Sequence, residues 1–87
     1  NPEAHLALAT NFILGRGVEK NLTLAHVSCN LATFLSRDIG SISRSIQLRT
    51  ELETKMSKDQ IKKAEQLSRK CIEKKFKECM TYAVENR

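Results

Sequence analysis

The sequence predicts an all-α protein of four helices. Two observations carry that expectation: three glycines and one proline in 87 residues leave little turn chemistry for a sheet, and Leu, Ile, Ala, Lys, Glu and Ser supply ample helix-forming material. The apolar residues also recur every three to four positions along most of the chain. A chain of this size is one domain, or a piece of one, and buries about 60% of the surface its unfolded form exposes, enough for one small core but hardly for a deep, enclosed active site as well.

The first helix opens at Asn1-Pro2-Glu3, with Asn1 as N-cap, Pro at the first helical position and an acid in the first turn. Ala4, Leu8, Ala9 and Phe12 recur on one face, and Leu6, Ile13 and Leu14 widen the stripe. Gly15-Arg16-Gly17 stops this helix, because two glycines in three residues let the backbone take positive φ before a tight reversal. Val18 fills the turn, and Asn21 caps a second helix running to about Leu35. The short connection predicts an antiparallel αα-hairpin.

Ser36-Arg37-Asp38-Ile39-Gly40-Ser41 breaks the pattern and makes Ser41 a candidate cap for a third helix over residues 42–55, with Ile39 and Gly40 as an alternative, earlier start. Ile42, Ile46, Leu48, Leu52 and Met56 form its incomplete apolar stripe. Ser57-Lys58-Asp59-Gln60 spells a capping box, in which the Ser57 hydroxyl accepts from the Gln60 amide and the Gln60 side chain reaches back to the Ser57 amide. A long fourth helix follows, with Ile61, Ala64, Leu67, Ser68, Cys71, Ile72, Phe76, Cys79, Met80, Ala83 and Val84 on its apolar face.

The stretch Ala4, Leu8, Phe12, Gly15, Gly17-Val18, Asn21, Ala25, Ala32, spaced A-x3-L-x3-F-x2-G-x-G-V-x2-N-x3-A-x6-A, resembles the Sel-one-like repeat, a helical hairpin module related to the tetratricopeptide repeat. In that family the glycines turn the chain, the Asn caps the second helix, and the small Ala25 and Ala32 let the helices approach closely. Ala9 stands where the family usually has Gly, and an aromatic pair is missing near Ser28-Cys29, as in an atypical terminal repeat. Residues 42–70 look like the helical tail that closes such arrays. The resemblance therefore implies a right-handed α-solenoid stub of two antiparallel αα-hairpins in one structural domain, with residues 1–36 as the repeat and 37–87 as a capping hairpin ending in a long basic helix.

The net charge of +5 is unevenly distributed. Bases and acids cancel over residues 1–54, so the whole excess lies in residues 55–87, where ten bases face five acids. Such a half attracts an acidic protein, nucleic acid or an anionic membrane, although interleaved acids are also what an ordinary solvated helix face carries. Lys62, Lys63, Lys70 and Lys74 are the candidate basic face. Lysine dominates over arginine and aromatic residues are few, so electrostatic attraction is expected and sequence-specific reading of nucleic acid is not.

No apolar run approaches the roughly 18 residues of a membrane span, and no leader is visible. Cys29, Cys71 and Cys79 are an odd number without CxxC spacing, and on one continuous helix Cys71 and Cys79 would stand about 12 Å apart. Bridging needs Cα atoms within about 7 Å. Buried thiols in a cytoplasmic setting are therefore expected, or a periplasmic location if a leader has been removed.

Catalytic constellations are not apparent. His5 and His26 each follow an alanine of the repeat pattern, which places them at the edges of helix faces, and neither has Cys or carboxylate at metal-ligand spacing. Cys71 and Cys79 have basic neighbours but fall on the apolar stripe. Gly15-Arg16-Gly17 follows a helix and lacks the remainder of a phosphate loop. No catalytic residue, cofactor or metal is expected. The resemblance implies a protein-binding module, an adaptor or an inhibitor of immunity type, of a kind frequent in bacteria, with a toxin or enzyme among the partners to be considered. It implies contact residues on the first helix, namely His5, Thr10, Asn11 and Leu14, bordered by Arg16.

Overall fold

The computed structural model describes residues 2–74, which form α1 (Pro2–Leu14), α2 (Leu22–Leu35), α3 (Ile39–Glu53) and α4 (Lys58–Glu73), with no strand among the described residues. The fold is all-α. The expected cap Asn1 lies outside the described residues.

Gly15 and Gly17 both have positive φ, at 73° and 70°, in the turn that closes α1. The Gly15 and Arg16 amides both donate to the Asn11 carbonyl, at 2.7 and 3.0 Å, and the Asn21 amide donates back to the Phe12 carbonyl at 2.9 Å. These bonds fasten the start of α2 to the end of α1. Asn21 has extended backbone angles, and its side chain accepts from the Leu24 amide at 3.0 Å, which is the N-cap expected of it.

Helix α2 is the axis of the molecule. Residues 24–29 are buried without interruption, as are Leu31 and Ala32. A helix enclosed on most sides needs partners around it, and α1, α3 and α4 all pack on α2 while α3 and α4 barely touch each other. The first pair is thus a closed hairpin, whereas the second pair is held together through α2. The common core contains Ala9 and Phe12 from α1, Leu24, Val27 and Leu31 from α2, Leu52 from α3, and Ala64 and Leu67 from α4. Ala4, placed on the apolar face by its spacing, is exposed.

Helix α3 starts at Ile39, the earlier of the two starts its sequence permits, because Asp38 rather than Ser41 is the cap: its carboxylate accepts from the Ser41 amide at 2.8 Å. Its apolar stripe is only partly the buried one. Leu52 is buried and Leu48 is half-buried against the core, but Ile39 is 82% exposed and Ile46 is also exposed, while Ser41 and Ser45 face inward. Serine is small enough to let α3 approach α2, and its hydroxyl can be satisfied without water. Ser45 donates within its own helix and accepts from Thr33 of α2 at 2.8 Å.

Both halves of the Ser57–Gln60 capping box are formed, at 3.1 and 2.9 Å. Helix α4 is the most amphipathic of the four and buries Ala64, Leu67, Ser68 and Cys71. It runs to Glu73 with Lys74 as its C-cap, whose amide donates to the Lys70 carbonyl at 3.1 Å, and the rest of the long helix expected lies outside the described residues. Phe76, Cys79, Met80, Ala83 and Val84 lie outside the described residues. Cys71 is held in a disulfide, not free as expected. Cys29 is a free, buried thiol, and burial pushes it up to about 12.

Candidate functional site

The α1 residues expected to meet a partner do not form one surface. Thr10 is exposed, but its hydroxyl donates to the Leu6 carbonyl at 3.1 Å. Leu14 is 55% exposed and Arg16 is exposed, whereas Asn11 is half-buried with its carbonyl engaged by the glycine turn. His5 turns inward: its Nδ1 is buried without a hydrogen-bond partner among the described residues, and desolvation holds its pKa below the ordinary histidine range. None of the five lines the principal cleft of the molecule.

That cleft, about 540 Å³, opens where α2, α3 and α4 meet, and its walls include His26, Asn30, Phe34, Arg49, Glu53, Glu65, Ser68 and Arg69. Helix periodicity builds each wall. On α2, His26, Asn30 and Thr33 follow at spacings of four and three; on α3, Arg49 and Glu53 lie one turn apart; on α4, Glu65, Arg69 and Ile72 repeat the pattern. His26, expected at a helix edge, is only 1% exposed and forms the floor.

A hydrogen-bonded chain joins the three helices. Arg49 donates to Asn30 Oδ1 at 2.8 Å, which turns the Asn30 amide nitrogen toward Ser68 Oγ at 3.0 Å and His26 Nδ1 at 3.1 Å. Since Asn30 presents a donor, His26 Nδ1 must accept, and the imidazole proton resides on Nε2, which donates to Glu53 Oε2 at 2.7 Å. Ser68 accepts from Asn30 and donates to the Ala64 carbonyl at 2.7 Å. Both nitrogens of His26 are therefore engaged, and Ser68 directs its proton away from the ring. This arrangement fixes helix register and holds Arg49 in place, and it leaves no nucleophile–base pair poised for transfer.

No family model, curated protein or solved structure matches the chain. The site is accordingly read from its own chemistry. Arg49 and Arg69 reach the cleft from two helices, and neither has a carboxylate within ion-pair distance among the described residues. No group of three or more His, Cys, Asp or Glu among the described residues could hold a metal ion. Glu53 was missed as a partner of His26 because 27 residues separate them, and Asn30 and Ser68 are 38 apart. One signal was present: His26, Asn30 and Thr33 recur at helical spacing on a mostly apolar helix.

The basic candidates lie elsewhere on α4. Lys63, Lys70 and Lys74 share one flank at spacings of seven and four, and Lys62 sits about a quarter turn away, facing solvent. Lys62, Lys70 and Lys74 are exposed, whereas Lys63 is half-buried beside Lys20 and Gln60. The structural candidates stand where expected: Gly15 and Gly17 in the turn, Asn21 as cap, Ala25 and Ala32 fully buried, Ser57 and Gln60 in the box. Among the described residues, no helix is long and apolar enough to cross a membrane.

Proposed function

We propose that this chain is a protein-interaction module without catalysis, serving as an adaptor or as an immunity-type inhibitor of another protein. One observation carries the reading: an open cleft at a three-helix junction, with two arginines that form no ion pair among the described residues and the 57% exposed Phe34 on its wall. Arginine and aromatic side chains on a concave surface are what partner recognition draws on. The resemblance of residues 4–32 to a repeat that mediates assembly points the same way, although contact moves from α1 to the cleft. The Cys71 disulfide supports an oxidising compartment, periplasmic or external, over the cytoplasm.

The test is co-purification of the full chain at physiological salt, followed by size-exclusion chromatography. A stoichiometric complex that dissociates on Arg69→Glu is expected, and a chain that remains alone under mild conditions counts against the module. The shared flank of Lys63, Lys70 and Lys74 supports a second reading, electrostatic binding to nucleic acid or anionic membrane. That reading requires a gel shift or vesicle binding at about 50 mM salt that falls steeply as salt rises and disappears when Lys62, Lys63, Lys70 and Lys74 are all changed to Glu.

A further inference from the structure

We infer that the cleft between α2, α3 and α4 receives a short peptide segment of the partner in which an acidic side chain sits next to a large apolar one. The inference rests on the protein-interaction reading and names the chemistry of what is recognised.

Arg49 is held in a fixed direction by Asn30, whose own orientation is set by Ser68 and His26, so the guanidinium stands on the wall with no counter-ion among the described residues. Arg69 lines the same cleft from α4, exposed and outside the hydrogen-bonded chain. Two guanidinium groups that reach one cavity from separate helices, with no ion pair among the described residues, favour a carboxylate, which arginine can bind through two parallel hydrogen bonds.

The remaining groups select among anions. Glu53 and Glu65 also line the cleft, so a bare phosphate or other compact polyanion would meet two carboxylates as well as two arginines. The Thr50 hydroxyl donates to the Ile46 carbonyl of its own helix at 2.9 Å, so its oxygen keeps lone pairs able to accept at the cleft wall. Those lone pairs and Glu65 call for N–H donors on the ligand. Phe34 and Ile72 add apolar surface. A ligand offering one carboxylate, backbone N–H groups and an apolar side chain within about 540 Å³ is a peptide segment of a few residues.

The full chain is titrated with acetyl-Gly-Leu-Glu-Phe-Gly-amide, its Glu→Gln counterpart and inorganic phosphate, while the backbone amides and arginine Nε–H signals are followed by NMR. The Glu peptide is expected to shift Asn30, Arg49 and Arg69, with the Gln peptide binding about five-fold or more weakly. Arg69→Ala, which breaks no contact of the network, should weaken the Glu peptide by a similar factor, and Glu65→Gln should tighten it about two-fold. Equal binding of the Gln peptide overturns the inference, as do equal shifts from phosphate or shifts confined to the Lys63–Lys70 flank. A partner complex that survives Arg69→Ala, in a protein whose cleft signals ignore the peptides, overturns this inference and leaves the interaction module standing.

Discussion

The two sides of α2 are built on different chemistry. Toward α1 the contact is dry: α1 buries only Ala9 and Phe12, and its link to α2 is a glycine turn closed by backbone hydrogen bonds. Toward α3 and α4 the contact is threaded with polar groups, from Thr33–Ser45 to the chain running through Arg49, Asn30, His26, Glu53 and Ser68. Apolar burial is non-directional and supplies stability without specifying partners. A satisfied polar network has only one geometry in which all its donors and acceptors match. The dry side therefore holds the fold, and the wet side sets how three helices are phased around a cleft.

The hardest test of that division is Phe12→Ala. Phe12 is 6% exposed in the core, and its truncation should lower unfolding free energy by about 3–5 kcal/mol, read from urea midpoints. Next comes His26→Ala, which removes the acceptor for Asn30 and the donor to Glu53 and should cost about 2–3 kcal/mol. If the wet side governs phasing, this variant also broadens the NMR signals of Arg49 and Ser68, while Phe12→Ala leaves their relative shifts intact. A well-dispersed His26→Ala spectrum with wild-type shifts at those two residues breaks the comparison.

The turn on the dry side provides a third probe. Nothing lies within 4 Å of a Cβ added at Gly17, so the penalty of Gly17→Val comes from its φ of +70° alone, about 1–3 kcal/mol. Gly17→Asn should recover most of that loss, since Asn tolerates the left-handed region. Smaller again is Ser57→Ala, which should cost about 1 kcal/mol through loss of the capping box.

The pH response sharpens the contrast further. Burial lowers the pKa of His5, so the folded state prefers the neutral ring. Above the unfolded value of about 6.5 this group leaves stability unchanged; as pH falls below it, the unfolded chain takes up a proton first and stability declines. His5→Leu should flatten the urea midpoint between about pH 7 and pH 5. Asp38 acts lower on the scale: the Ser41 amide, and then its hydroxyl, hold the carboxyl below its usual range, so its contribution is present above the unfolded carboxylate pKa and disappears as pH falls through the folded one. At the alkaline end, Cys29 stays protonated far beyond an ordinary thiol and should resist a thiol-specific reagent at pH 8 until the protein is unfolded.

Helix starts and the first turn could be read from the chain because their causes are local. Asn21 and Leu24, Ser57 and Gln60, Gly15 and Gly17 all interact or act within a few positions, so residue type and spacing suffice. The α3 boundary illustrates where such reading weakens: Asp38 and Ser41 are both good caps, and the carboxylate in fact takes the Ser41 amide. Its buried face was harder still. Ile39 and Ile46 have the hydropathy of core residues, yet Ser41 and Ser45 take the inner positions, because the close approach of α3 to Thr33 favours small side chains whose hydroxyls find partners.

Local chemistry thus decides that this protein is helical, where most of its helices begin and that its first two form a hairpin. The cleft required the assembled fold. His26, Asn30, Arg49, Glu53 and Ser68 meet across 19 to 38 residues of sequence, and hydrogen bonds reach only about 3 Å. Which polar side chain finds which, and which arginines remain for a ligand, depends on how three helices are rotated about α2, a choice made by packing that no single segment contains.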